Sequence, residues 1–296
     1  YLSPDTHRDF FIMKKTIYFL FTKTVGLYVN ILSFIAPNKA TQLAYTLFSE
    51  PRDGRLELDS LPEALLQTQQ ETHTHNDFQF QTYTWKGNAT VILLVHGWES
   101  NASRWQKLLP YLKKSGSTVI AVDAPAHGLS SGKEFNIPQY AAYINILAQK
   151  FKPSYLIGHS LGGKTCLYYQ SHYQNDQITK MVILGSPSDF KIILNNYIKM
   201  LSLNSIISKG LETHYLHHFK LKLEQFSGKH FASTIKTEGL IAHDLDDTVV
   251  AFTEGQKIAK NWKNAVFIET NGLGHSMHSD KLYEQVYQFL FNSNSY

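Results

Sequence analysis

From Phe78 onward the chain alternates between two textures of hydrophobic and polar residues. One is the short, near-continuous apolar run: VILLVHGW (91–98), STVIAVDAP (117–125), PSYLIGHS (153–160), KMVILGSP (180–187), EGLIAHD (238–244) and NAVFIET (264–270). Runs of this length, apolar on both faces, predict buried parallel strands. FQFQTYTW (78–85) instead alternates, as a half-buried strand does. The other texture recurs at helical spacing over 102–114, 139–150, 162–173, 249–262 and 281–291. Strand alternating with helix predicts one mostly parallel central sheet with helices on both faces.

Two regions break the alternation. Residues 191–236 are helical in pattern and hold no strand, so they are expected as a small cap inserted between two strands, above the strand ends where open α/β sheets bind ligands. Ile192, Ile193, Tyr197, Leu201 and Leu203 are then expected to turn inward to a hydrophobic acyl pocket, the alternative being that they only pack the cap. His214, His217 and His218 in this block read as cap-surface residues, since no acidic or cysteine ligand is spaced to complete a metal site. Before Phe78, residues 1–75 are expected as an N-terminal helix and connector ahead of the domain at 76–296. In MKKTIYFLFTKTVGLYVNILSFIAP (13–37), Thr16, Lys23 and Asn30 recur every seven residues, with Ile17, Phe21, Tyr28, Leu32 and Ile35 on the other side. This is an amphipathic helix. Lys23 at mid-span costs ~2.5–3.5 kcal/mol on insertion scales and argues against a spanning helix. The apolar side is expected to pack on the protein's own body, with contact to a membrane surface as the alternative. Met13 is a candidate natural start, which would leave residues 1–12 upstream of it. Pro37 stops the helix, 48–64 is rich in turn residues, and QTQQETHTHND (67–77), with His73 and His75, reads as an exposed polar loop.

Composition narrows the class. At 296 residues, 43% hydrophobic and 18% charged, the chain can bury a large core. A net charge of +4, with lysines scattered rather than in a stripe, does not suit nucleic acid. The lone Cys166 excludes an internal disulfide and fits a reducing, cytoplasmic compartment, with peripheral membrane association through the N-terminal helix as the variant.

The chemistry centres on IGHSLGG (157–163), between a strand and a helix. In a sharp strand-to-helix turn the serine backbone is strained, and Gly158 and Gly162 remove the clashes that side chains two positions away would cause. The helix N-terminus beneath Ser160 favours a developing oxyanion. A serine hydroxyl needs a base, and the base an orienting carboxylate, in the chain order Ser, Asp, His for this arrangement. His275, in a glycine-bearing loop after the last strand, takes precedence over His278. For the acid, Asp247 ranks before Asp246, with Asp189 after the preceding strand third and Asp244 directly off its own strand. The oxyanion donors are expected to be the amides of Leu161 and Trp98, with His96 and Gly97 shaping the second loop. Asp123 and His127 read as structural, and Cys166 as packing.

These motifs together resemble the α/β-hydrolase superfamily: HGW after one strand, DAPAHGLSSG after the next, then GHSLGG and GLGH. The resemblance covers Phe78 to the C-terminus. HDLDDTVVA (243–251) is similar to the family's HGxxDxxVP, with His243 at the first position and Asp247 at the acid. Asp244 stands where glycine is usual, and Ala251 where proline is. HDLDDTVV and the following GQKIAKNWKNAVFIETNGLGH further resemble a group of bacterial capped hydrolases. The resemblance implies the α/β-hydrolase fold, a Ser–His–Asp mechanism, no metal or cofactor, and a small-molecule acyl substrate. The class expected is thus a serine hydrolase acting on a carboxylic ester, with thioesterase, amidase, C–C hydrolase and a non-catalytic binding protein as alternatives on the same fold.

Overall fold

All six apolar runs and the alternating segment become strands in the computed structural model, which describes residues 4–220 and 222–292, with side chains from Thr16 onward. The candidate start at Met13 and the upstream residues 1–12 lie outside the described side chains. Strand β1 (Gln69–His75) pairs antiparallel with β2 (Phe78–Trp85), and β2 pairs antiparallel with β4 (Ser117–Val122). The rest is parallel: β4 against β3 (Asn88–Val95), then β5 (Tyr155–His159), β6 (Lys180–Leu184), β7 (Glu238–Asp244) and β8 (Ala265–Thr270). Among the described residues the sheet therefore runs β1-β2-β4-β3-β5-β6-β7-β8.

The strands are apolar on both faces because both are covered. Ile92 and Leu94 of β3 and Val182 of β6 join a core with Trp105, Leu112, Val286 and Leu290, which brings α4 (Leu109–Lys113) and α11 (Asp280–Phe291) onto one face. Alternate positions point to the opposite face. There Ile183 meets α6 (Leu161–Tyr173) so closely that a Cβ on Gly163 would stand 3.0 Å from it. Helix α5 (Ile137–Phe151) packs beside α6, and α10 (Phe252–Asn261) packs on β7.

The chain divides into two compact units, residues 49–189 with 227–296, and residues 1–48 with 190–226. The larger holds the sheet and the short α3 (Glu63–Leu66). It also holds α9 (Gly228–Thr234), so this last part of the expected 191–236 cap belongs with α6 and α10 instead. The smaller unit contains α1 (Pro4–Ile35), α2 (Pro37–Ser49 by helix bounds, its last residue in the larger unit), α7 (Phe190–Leu201) and α8 (Ser205–Phe219). Pro37 does end α1, yet it also opens α2 at once, as a proline suits a first helical turn. Tyr197 and Leu201 of the inserted block are buried within this unit. The Tyr197 hydroxyl donates to Ala44 O (2.7 Å), and its ring lies 4.9 Å from Phe48. Leu203 is also buried, whereas Ile192 is exposed.

Three expectations need correction. Residues 67–77 are not an exposed loop: Gln69–His75 forms the edge strand β1, and His73 is buried, its Nε2 2.9 Å from Thr82 Oγ1 and its ring stacked on Phe80. Pairing with β2 supplies what its polar sequence lacks in propensity. On α1 most of the apolar side does not pack inward; Ile17, Phe21, Tyr28 and Ile35 are all more than half exposed, and Leu32 is half-buried. Helix α10 begins at Phe252 rather than 249, because Ala251 before it (φ −56°, ψ 137°) is not helical; the amides of Val249 and Val250 donate to the Asp247 carboxylate instead.

Candidate active site

Ser160 occupies the turn between β5 and α6 with φ +52° and ψ −125°, a conformation rarely held by a residue with a side chain. The flanking glycines make it attainable. A Cβ on Gly158 would lie 2.6 Å from Gly163 Cα, and one on Gly162 would lie 2.2 Å from Val95 O. Both contacts are with backbone and could not be relieved by a rotamer change. The strained turn thus lifts Ser160 out at the strand's carboxyl end, with the N-terminus of α6 directly behind it.

His275 comes from the short helical turn Gly274–Ser276 after β8. Its Nε2 is 3.0 Å from Ser160 Oγ, and its Nδ1 is 2.8 Å from Asp247 Oδ2. The three side chains form a hydrogen-bonded row drawn from the ends of β5, β7 and β8. The Asp247 side chain is fully buried and that of His275 is 21% exposed, so solvent reaches the histidine while the acid behind it is sealed. Burial alone would raise the Asp247 pKa. The bonds from His243 and His275 and the Val250 amide outweigh it, and hold the carboxyl well below the usual range. Asp247 is therefore an anion facing an imidazole Nδ1–H.

The other acids stand elsewhere. Asp189 accepts from Ser227 Oγ (2.6 Å) and Lys257 Nζ (2.8 Å). Its burial is overcome by these donors, which bring its pKa down to about 2. Asp246 accepts from Gly272 N at 3.1 Å. His278 Nδ1 bonds the Tyr283 hydroxyl instead of reaching the serine, and its burial, with Arg104 and Lys107 nearby, lowers its pKa to about 4.

The two segments expected to supply oxyanion donors converge beside the serine. Leu161 follows Ser160 at the start of α6. Gly97, directly before Trp98, is close enough that a Cβ there would sit 2.8 Å from Ser160 Cβ and 3.4 Å from Leu161 N. His96 fixes this loop. Its Nδ1–H donates to Gly97 O (2.7 Å) while Nε2 accepts from Ala124 N (2.9 Å), and burial keeps the ring neutral. Asp123 and His127 also tie loops together. Asp123 accepts from Ala102 N, Leu129 N and the Tyr83 hydroxyl, and His127 Nε2 accepts from Glu99 N. Cys166 is buried. Among the described residues no group of three His, Cys, Asp or Glu is placed to hold a metal ion.

Sequence reasoning gave no organising role to three residues that support the row. His159 donates from Nε2 to the His275 carbonyl (2.8 Å), its own ring kept neutral by burial and by Arg104. His243 donates to Val250 O (2.9 Å) and stands 3.4 Å from Asp247 Oδ2. Asp244, buried, accepts from Asp246 N, Gly274 N, Leu273 N and Thr270 Oγ1, so it ties the acid loop to the histidine loop. The available signal for Asp244 was its presence where the related pattern has glycine.

Comparison with known proteins follows the same lines. The family described as alpha/beta hydrolase fold matches residues 90–234. Phospholipase YtpA of Bacillus subtilis (strain 168) is 26% identical over 189 residues, covering 61% of this chain and 67% of its own. The bifunctional esterase/perhydrolase DCH of Acinetobacter calcoaceticus is 28% identical over 103 residues, 33% of this chain and 37% of its own. Monoacylglycerol lipase ABHD6 of Bos taurus is 26% identical over 112 residues, 34% of this chain and 33% of its own. The chain thus spans two thirds of the first relative's length and about a third of the other two. Among solved structures, Est1E from Butyrivibrio proteoclasticus with ferulic acid bound superposes with a TM-score of 0.59 at 15% identity, over 74% of this chain and 97% of the other. Mouse alpha/beta hydrolase domain-containing protein 10 gives 0.58 at 14% identity, over 75% and 96%. Strand order, strained serine turn and matched sequence agree: the chain has the α/β-hydrolase fold, and residues 90–234 match the family of that name.

Proposed function

We propose that this chain is a serine hydrolase that cleaves a carboxylic ester through an acyl-enzyme on Ser160. The observation that carries the reading is the row Ser160–His275–Asp247, with contacts of 3.0 and 2.8 Å, on a strained strand-to-helix turn. His275 Nε2 takes the hydroxyl proton as Ser160 Oγ attacks the carbonyl carbon, and Asp247 stabilises the imidazolium that forms. The amides of Leu161 and Trp98 bond the oxyanion of the tetrahedral intermediate. The imidazolium then gives its proton to the leaving alkoxide oxygen, and the alcohol departs. Water, deprotonated by the same histidine, attacks the acyl-enzyme and releases the acid with Ser160 restored. Each step uses only groups of the chain and water, so the scheme needs no cofactor. The relatives named phospholipase, esterase and monoacylglycerol lipase favour an ester over an amide or a C–C bond. A small-molecule acyl substrate fits this chemistry.

The test is covalent. A fluorophosphonate probe should label the wild type and leave Ser160→Ala unlabelled, in parallel with hydrolysis of p-nitrophenyl esters of graded chain length. Labelling that survives Ser160→Ala moves the nucleophile elsewhere and sinks the reading. Ser160→Ala and His275→Ala should each cost nearly as much activity as the double variant, since the row acts as a unit.

A further inference from the structure

Helix α1 has a small, polar seam and a large, apolar outer face. Thr22, Gly26, Val29 and Ser33, three or four residues apart, are its buried positions between Thr16 and Ile35. Lys23 and Asn30 flank them. Lys23 Nζ donates to Met200 O (2.9 Å) and Ser202 Oγ (2.7 Å), while Asn30 donates to Ser202 O and accepts from Asn204 N (both 2.8 Å). At Gly26 the approach is so close that a Cβ would fall 1.7 Å from Leu201 O. The stripe expected to face water is therefore spent on the turn between α7 and α8. Outward stand Phe21 (63% exposed), Tyr28 (60%) and Phe34 (75%), with Leu27, Ile31 and Ile35 among them.

A surface helix in water has the reverse arrangement. Small residues at a helix–helix seam with bulky apolar residues outward is the pattern adopted against lipid. The charge is also one-sided. No Asp or Glu occurs between Asp9 and Glu50, whereas Lys14, Lys15, Lys23 and Lys39 do. An apolar face in an acid-free, basic segment complements an anionic bilayer surface.

We propose that the outer face of α1 seats this chain on an anionic lipid surface, with the helix lying in the plane of the headgroups. Thr16–Ile35 is apolar enough to cross a bilayer, and its 20 residues reach about 30 Å. Crossing would nevertheless carry the partners of Lys23 and Asn30 into hydrocarbon, including the backbone of Met200 and Ser202 and the exposed Lys199 beside them. Buried polar groups of that kind are expensive in lipid. Lying flat leaves the seam bonded and submerges only the apolar face.

The test uses the full chain carrying Ser160→Ala, so that lipid hydrolysis does not enter and failure leaves the ester reading untouched. It should co-sediment with vesicles rich in phosphatidylglycerol, bind phosphatidylcholine vesicles more weakly, and be released by alkaline carbonate. Adding Phe21→Gln, Leu27→Gln, Ile31→Gln and Phe34→Gln should lower the partition coefficient by roughly 100-fold or more, as each substitution removes apolar burial. Melting should be nearly unchanged because all four side chains are more than half exposed. Should the fourfold variant fail to fold, Phe34→Gln alone should still weaken binding by roughly 3–10-fold. Lys14→Gln should weaken binding to the anionic vesicles by roughly fivefold. Equal sedimentation of wild type and variant overturns the proposal, as does a wild type that stays in the supernatant. Carbonate-resistant insertion would show a spanning helix instead. A wild-type dimer that the substitutions dissociate, without vesicle binding, would assign the face to a second copy.

Discussion

Replacing Asp244 should damage the proposed catalysis without touching Ser160, His275 or Asp247. Its two carboxylate oxygens accept four bonds: Asp246 N (3.0 Å) and Gly274 N (2.9 Å) on Oδ1, Thr270 Oγ1 (2.7 Å) and Leu273 N (3.0 Å) on Oδ2. The Leu273 and Gly274 amides immediately precede His275. Asp244→Ala strands three backbone donors in a buried place, each worth about 1–3 kcal/mol when unpaired. Water entering the space recovers part of this, leaving a net loss of about 3–5 kcal/mol. At roughly 2–4 °C per kcal/mol for a domain this size, Tm should fall by about 6–20 °C. Asp244→Asn keeps one accepting oxygen and can serve Asp246 and Gly274, but its amide then opposes Leu273 N–H. Its loss should be about 1.5–3 kcal/mol. Release of the loop lets His275 drift, and a displacement of about 1 Å can cost about 100-fold in rate. The expected kcat is therefore 10–100-fold lower for Asp244→Ala at nearly unchanged KM, measured on a p-nitrophenyl ester below the variant's melting range. Asp246→Asn is the control, since it loses one bond to Gly272 and should shift Tm by only about 1–3 °C. If Asp244→Ala keeps both Tm and kcat, the carboxylate is not what holds the histidine loop.

Asp247→Asn should lower kcat by roughly 10³–10⁴-fold in a folded protein, because the imidazole loses its orienting anion; a drop below tenfold would remove Asp247 from the row. Asp189→Asn should leave kcat nearly intact and act on acid stability. Asp189 titrates at about 2 in the folded chain, below its unfolded value, so its contribution is present above about pH 4 and is lost as pH falls through 2. Urea titrations across that window should show a shallower acid limb for Asp189→Asn, and an unchanged limb would mean that the pairing with Lys257 adds no net stability.

Much of this protein was legible along the chain because buried parallel strands and helices impose local periods. The six apolar runs needed no knowledge of partners to read as strands, and GHSLGG carried its own steric reason for two glycines. The spacing of HDLDDTVV and GLGH also narrowed the candidate acid and base to short sets of alternatives. Choosing within those sets required three dimensions. Asp189 and Asp247 both follow strands, and only the fold gives one to Lys257 and the other to His275. Local pattern was likewise blind to β1, whose polar residues form a strand because β2 offers an edge to pair with. It misjudged α1 for a related reason. Periodicity reveals that a helix has two faces, but which face turns inward depends on what stands beside it. Here the neighbours are main-chain carbonyls and the Ser202 and Asn204 turn, and they select the lysine and the asparagine. A pairwise contact between distant segments leaves no trace in either segment's own period, so the tertiary structure alone decided it.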